Sequence, residues 1–364
     1  PAPLLTACCP PDLPRPAPVP SYAVSDRGLG AWVAATSLFG DLDLRLDPWE
    51  VEYGSELPMG SPQEVRDDDT VDPEVELPIA DWRPLIPAAD LATPLRLTFV
   101  DGVRRVEARV IGRQGARLCH GAFGSFGVGS VEAGEGGAVV TEARVDRVLA
   151  LDSGQSLTGP IEVGPALTYR VVSSAKSDVN APLARLQEEM RLAEERLARE
   201  LADRQGALVI ADGPLTFGDP VRGGALGYIK RLFQLYVDGS LLPVLAALPA
   251  GSRSPVFALR SSQRFARYSW FVRLAPTRPG DSDLAGIVRL EVAESVGLEA
   301  ARRLADATAR ALPRFAPSRG RDPRAPQNLL PIGALESHLR RRLGDPRLIR
   351  RRLADLIALE TMNA

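Results

Sequence analysis

Ala207-Leu208-Val209-Ile210-Ala211-Asp212-Gly213 is a short, wholly apolar run that stops on an acid and a glycine. A strand without polar alternation is buried on both faces, as in the parallel part of a sheet. Upstream, Leu97-Thr98-Phe99-Val100-Asp101-Gly102 ends in the same way. Each Asp-Gly step is predicted to close its strand, because glycine accepts positive φ and Asp-Gly is an ordinary turn signal. Either step alone is a turn. Their recurrence around an acidic helix marks a candidate site, since an acid ending one strand, an acid on a helix and an acid ending the returning strand can converge on divalent metal ions. That arrangement suits phosphodiester hydrolysis, in which two metals hold the attacking and leaving oxygens.

The helix between the two runs carries the strongest periodicity in the chain. Leu183, Leu186, Met190, Ala193, Leu197 and Leu201 recur in steps of three and four, and Asn180-Ala181-Pro182 offers a helix start with proline near the first helical position. On a helical wheel Glu194 lies roughly 55° from the centre of this stripe and Glu195 roughly 155° away. Glu194 therefore borders the sheet-facing side and is the preferred ligand, with Glu200 and Glu189 less well placed. The competing reading pairs these glutamates with arginines one turn on, as Glu195 with Arg199.

Around this centre, Leu95 to Asp101, Arg105 to Ile111 and Arg117 to Val131 read as three successive antiparallel strands. The glycine-rich Gly121 to Gly129 fits a packed strand better than a phosphate cradle. Val139 to Ser153 and Glu162 to Ser173 each add a strand or a helix. Leu226 to Ala247 is expected to be mostly helical. Strands over Val256 to Leu259, Tyr268 to Leu274 and Gly286 to Val292 follow, then helices over Leu298 to Leu312 and Pro331 to Ala358. Strand, hairpin strands, helix and returning strand describe an α/β, ribonuclease-H-like mixed sheet flanked by helices. The expected divisions are a proline-rich, extended or disordered 1–20; an N-terminal extension 21–94 serving as lid, docking or dimerisation element; a nuclease core 95–330; and an arginine-rich helical region 331–364. In the extension, Ala31 to Phe39 is a strand or short helix, and the acidic Glu64 to Glu76 is a solvated loop.

Composition narrows the function. With 364 residues, 45% apolar and 25% charged, the chain is an ordinary globular protein with a substantial core. A formal net charge of −2 requires any nucleic-acid contact to use a local basic face. Three cysteines and two histidines supply neither a disulfide framework nor a zinc-spaced set. His120 reads as a core or edge histidine. No P-loop and no helix-opening GxGxxG follows a strand. No apolar stretch reaches the ~18 residues of a transmembrane helix, and no signal-peptide pattern opens the chain; a cytoplasmic protein with no membrane role is expected. The C-terminal Arg340, Arg341, Arg342, Arg347, Arg350, Arg351 and Arg352 form either a solvated face or a surface for phosphate or partner.

Over about residues 95–350 the chain resembles the NurA nucleases, which work with the HerA hexameric DNA translocase. The resemblance rests on Phe99-Val100-Asp101-Gly102-Val103-Arg104-Arg105, on the acidic helix before Val209-Ile210-Ala211-Asp212-Gly213-Pro214-Leu215, and on Tyr228-Ile229-Lys230-Arg231. It continues through Tyr268-Ser269-Trp270-Phe271-Val272-Arg273-Leu274, Gly286-Ile287-Val288-Arg289-Leu290-Glu291, Pro323-Arg324-Ala325-Pro326-Gln327-Asn328-Leu329 and Leu335-Glu336, in that order. It implies a ribonuclease-H-like homodimer with manganese-dependent endonuclease and 5′–3′ exonuclease activity in DNA end resection and double-strand-break repair. By position Asp101, Glu194 and Asp212 match the family acids, and they would hold two Mn²⁺ or Mg²⁺ ions. Lys230 would hold a phosphate or stabilise developing charge, and Arg104, Arg105, Arg273 and Arg289 would contact the DNA backbone. The family's DGSL-type motif here reads Asp212-Gly213-Pro214-Leu215, and its late tyrosine has no counterpart in the usual place. In that late region Asn328, Glu336 and His338 are candidate substitutes. The alternatives are a DNA-binding or translocase-docking subunit without catalysis, motivated by those two departures, and a ribonuclease-H-like enzyme acting on RNA.

Overall fold

The computed structural model describes residues 38–47, 70–89, 96–204, 208–216, 224–232, 234–261, 264–318, 320 and 322–363. The proline-rich 1–20 and most of the Ala31 to Phe39 run lie outside them, as does the Asp67-Asp68-Asp69 triplet. In chain order the elements are β1 (Asp43–Leu46), β2 (Thr70–Asp72), β3 (Arg96–Gln114), β4 (Arg117–Gly134), β5 (Gly137–Leu151), β6 (Ile161–Gly164), β7 (Leu167–Ser173), α1 (Ala181–Asp203), β8 (Leu208–Asp212), β9 (Gly224–Ile229), α2 (Leu242–Ala246), β10 (Phe257–Ser261), β11 (Arg264–Arg273), β12 (Ile287–Ala293), α3 (Leu298–Ala311), α4 (Leu330–Arg342) and α5 (Pro346–Asn363).

One large mixed sheet runs β2-β10-β11-β12-β9-β8-β3-β4-β5-β7-β6, with β1 also beside β3. β3 pairs with β8, β8 with β9, and β5 with β7 in parallel; the remaining pairs are antiparallel. Parallel pairing needs a crossover, and α1 helps supply the one between the hairpin strands and β8. Its apolar stripe explains the packing: Leu186, Met190, Leu197 and Leu201 are buried against Val100, Phe126, Val128, Val148 and Val209. Each such aliphatic burial contributes roughly 1.5–3 kcal/mol. On the opposite face α3 and α4 cover Leu97, Phe99, Val103 and Val131 through Ala301, Ala305, Leu335 and Leu339. The glycines of β4 let both layers come close. A Cβ on Gly124 would strike Leu186 of α1, and one on Gly129 would lie 3.1 Å from Leu335 of α4.

Four expectations change. The first Asp-Gly step does not turn: β3 is one continuous strand through Asp101 and Gly102, paired with β4 along its length. Its interruption is a bulge between Val106 and Ala108. Leu226 to Ala247 is not mostly helical, because Gly224–Ile229 is a strand between β8 and β12 and only the five-residue α2 is α-helical there. The apolar run Ala225-Leu226-Gly227-Tyr228 is short and buried, the signature that periodicity cannot assign to helix or strand. The final helix is two: Gly344 at φ +86° stops α4, and Asp345 caps α5 by accepting N–H bonds from Arg347 and Leu348 at 2.8 and 3.1 Å.

The last change concerns the end of the acidic stretch Glu64 to Glu76. Where described, the N-terminal region is built into the sheet, through β1 against β3 and β2 against β10. Glu76, expected in a solvated loop, has a side chain only 3% exposed and pairs with Arg253.

Candidate active site

The parallel register sets Phe99 beside Ile210 and Val100 beside Ala211, so the next step places Asp101 next to Asp212. There β8 stops. Gly213, at φ +101°, turns the chain and exchanges two backbone hydrogen bonds with Tyr228 on β9. Beyond Asp101, β3 has no strand on this side among the described residues until β1 joins it at Val110. The carboxylates thus emerge where one edge of β3 is uncovered.

Glu194 reaches the same place from α1. Its Oε1 rests directly against Gly102, where a Cβ would have no room, and the Gly102 N–H donates to Asp101 Oδ1 at 2.8 Å. This is why glycine follows the acid: the residue is a window in the strand rather than a turn. We expect Gly102→Ala to displace Glu194 and lower nucleic-acid cleavage at least about 10-fold while the fold survives. Parallel assays of Gly102→Ala and Glu194→Gln, each with a melting curve, check this. Native activity in both would remove Glu194 from the chemistry.

Lys230 follows β9 directly and is not on a helix. Its Nζ donates to Asp212 Oδ2 and to Asn328 Oδ1, each at 2.6 Å. Asn328, buried just before α4, donates through Nδ2 to Asp322 at 2.9 Å. Arg324 bonds Asp322 and forks onto both oxygens of Glu336 at 2.8 and 2.9 Å. Tyr228 fixes this segment by donating its hydroxyl to the Gln327 carbonyl at 2.6 Å. A polar chain therefore runs from Asp212 to α4.

The electrostatics follow from crowding. Burial, then the charge of Asp212, holds the Asp101 carboxyl well above its ordinary range; Glu194 and Glu336 add to the rise and Lys230 opposes it. Asp101 Oδ2 is buried with no hydrogen-bond partner. Burial and Asp212 push Glu194 up to about 8, against Arg191 and Lys230. Burial alone would lower Lys230, but Asp212 and Asp101 outweigh it and its pKa rises. Oxygen donors that repel one another, Asp101 buried and without a partner for Oδ2 and Glu194 and Asp212 half-buried, suit a hard divalent cation. As they stand, no three acidic, histidine or cysteine side chains form a ready ligand set among the described residues. Lys230 occupies Asp212.

The structure thus brings together Asp101, Glu194, Asp212, Lys230, Asn328 and Glu336. It sends several other candidates elsewhere. Glu200 pairs with Arg144 on the surface, and Glu189 is buried between Arg185 and Arg170. His338 makes no hydrogen bond or ion pair to these acids among the described residues. Arg273 is corrected from DNA contact to scaffold: it is 1% exposed and donates to four backbone carbonyls and the Thr277 hydroxyl. Arg289 is corrected likewise, buried against Glu291 at 2.8 Å and over the Tyr236 ring. Arg105 is used by the Leu343 and Gly344 carbonyls at the end of α4 and by Glu107. Arg104 remains beside the acids, half-buried, with Nε on Gln187 of α1.

Sequence reasoning missed Asp322, Arg324 and Glu291. Glu291 is wholly buried, pairs with Arg267 and Arg289, and accepts the Leu215 N–H at 2.8 Å, so it pins the loop that follows Asp212. Its one signal was Arg289 and Glu291 two residues apart on one face of a short, otherwise apolar strand.

No family model matches this chain, and no curated protein matches it. Among solved structures it is similar to the NurA nuclease from Sulfolobus solfataricus, with 12% sequence identity, a TM-score of 0.38, and coverage of 72% of this chain and 84% of that one.

Proposed function

We propose that this protein is a metal-dependent nuclease of the ribonuclease-H-like kind, acting on DNA. The observation that carries the reading is the convergence of Asp101, Glu194 and Asp212, distant in sequence, at the uncovered edge of β3. The order β5-β4-β3-β8-β9, with β3 parallel to β8 and α1 between hairpin and returning strand, supports the fold assignment. Asp101, Glu194 and Asp212 would hold Mn²⁺ or Mg²⁺, which supplies an activated water and stabilises the leaving oxygen. The chain's own residues set the stage for this. β3 fixes Asp101, Gly102 admits Glu194, and Glu291 holds the turn that presents Asp212. Lys230 neutralises Asp212 and is poised for a phosphate oxygen. The deciding experiment is degradation of linear DNA, RNA and hybrid substrates with Mn²⁺, Mg²⁺ or EDTA. Metal-dependent DNA cleavage lost on substitution of any of the three acids is the expected result, and RNA-only cleavage would reassign the substrate.

One observation favours a second reading, a nucleic-acid-binding subunit without catalysis: Lys230 closes Asp212 at 2.6 Å. Calorimetric titration with Mn²⁺ separates the two, because the binding subunit would take up no ion at these acids. The proposal extends to a homodimer acting at DNA ends beside a HerA-like translocase. Sequence resemblance supports that extension, and co-elution with such an ATPase tests it.

Acidity gives an independent check. Glu194 carries a folded-state pKa of about 8 against an ordinary 4.5. The folded chain therefore retains a proton that the unfolded chain loses, and metal-free stability falls as pH rises through that window. Melting in EDTA should drop between pH 5 and pH 8, less so in Glu194→Gln, and Mn²⁺ should restore the native protein at the upper end. A flat profile in the native chain would show that Glu194 does not sit in this environment.

A further inference from the structure

The uncovered stretch of β3 carries charge of the opposite sign beside the acids. Strand alternation puts Arg104 on the same face as Gly102, toward α1. On α1, Gln187, Arg191 and Glu194 follow at steps of four and three, a row along one side of the helix. Gln187 accepts from Arg104 Nε, which binds the strand arginine to this row and leaves its two terminal nitrogens with no hydrogen bond among the described residues. Arg191 makes none there either. Burial, and then Arg191 itself, lower the Arg104 pKa, which places the two guanidinium groups within electrostatic reach of each other. Arg191 also acts on Glu194.

Elsewhere on α1, Arg185 pairs with Glu188 and Glu189 and Arg199 with Glu195, while Arg196, also without an ion pair among the described residues, is exposed to solvent where Arg191 is half-buried beside Arg104. Among the described residues Arg104 and Arg191 form no ion pair with any carboxylate. Two neighbouring cations left unneutralised at the lip of an acidic cleft lower their energy by sharing an anion. Guanidinium forks match phosphate oxygens in geometry as well as charge. A chain with a net charge of −2 needs such a local basic spot to hold a polyanion at all.

We propose that Arg104 and Arg191 form a phosphate subsite that seats the sugar-phosphate backbone along the open edge of β3, next to the phosphate presented to Asp101, Glu194 and Asp212. This rests on the nuclease reading and adds where the strand lies: along the open edge of β3, on its α1 side. The subsite holds the backbone and reads no base.

Binding without turnover tests it. A fluorescent single-stranded oligonucleotide is titrated against the full chain in EDTA across a salt series, and anisotropy gives the affinity and its salt slope. Arg104→Gln and Arg191→Gln are each expected to weaken binding and to flatten the slope of log K against log salt by about 0.7, the value for one phosphate contact on a single strand. Arg191→Lys should keep the slope while losing part of the affinity. Arg196→Gln, exposed on the same helix, should change neither. Melting curves verify the fold, and if Arg104→Gln does not fold, the Arg191 variants decide alone. An unchanged slope in Arg191→Gln, or an equal fall in Arg196→Gln, would overturn the subsite and leave the nuclease reading standing. A native chain that binds no oligonucleotide in EDTA would overturn the subsite too, while the nuclease reading stands or falls on the cleavage assay with Mn²⁺ or Mg²⁺.

Discussion

Asp101→Asn should reduce metal-dependent DNA cleavage by far more than the about 10–100-fold typical of losing an outer-shell partner of a metal site, while the metal-free protein melts no lower than the native chain. The two halves have one cause. Asp101 is 6% exposed, and its charge is opposed first by burial and then by Asp212, Glu194 and Glu336. The ionised carboxylate therefore strains the metal-free fold. Asparagine keeps an oxygen to accept the Gly102 N–H now held at 2.8 Å, and it removes the repulsion. Removing the anion also removes a ligand. An ordinary structural aspartate would behave in the opposite way, costing stability when neutralised and leaving catalysis alone. Differential scanning calorimetry beside a nuclease assay distinguishes them. A variant that cleaves normally, or melts well below the native protein, would show that Asp101 serves the scaffold.

Glu291→Ala carries the largest expected effect on stability. Glu291 is fully buried, and Arg267 and Arg289 beside it are 2% and 4% exposed. Removing the carboxylate strands two buried cations and the Leu215 N–H; uncompensated buried charge of this kind costs about 3–5 kcal/mol. Burial would raise the Glu291 pKa, but Arg289, Arg267 and the Leu215 N–H together hold it below the ordinary value. Its stabilisation is therefore complete above the unfolded-state value near 4.5 and is lost as pH falls through the lower folded value. Chemical denaturation of Glu291→Ala near neutral pH should show the deficit, and the deficit should shrink in acid. Glu291→Gln, which keeps an acceptor for Leu215, should lie between. A native-like midpoint for Glu291→Ala would mean that the arginines find other partners.

Residue pattern revealed much of this, and the gaps have physical causes. Helix α1 was legible because six apolar positions at helical spacing leave little choice, and the same spacing picked Glu194 over Glu195, Glu200 and Glu189. Asp101 and Asp212 were legible as acids beside apolar strands. The turn assigned to Gly102 was not sound, because glycine marks close approach as readily as a turn, and only Glu194 arriving from another element tells them apart. The Arg324–Glu336 fork and the Asn328–Asp322 bond join residues whose pairing depends on how the chain enters α4, which no local spacing encodes. Arg273 and Arg289 alternate along strands as surface arginines do; their burial depends on acceptors from other segments.

The unbroken course of β3 has a mechanical consequence. Asp101 is anchored partway along a plank clamped to β4 from Arg96 to Gln114, so it cannot retreat or advance as a residue on a flexible loop would. Lys230 and residues 322–328 lie in irregular chain. Any widening or narrowing of the cleft must come from that opposite jaw, with Asp101 as the fixed anvil.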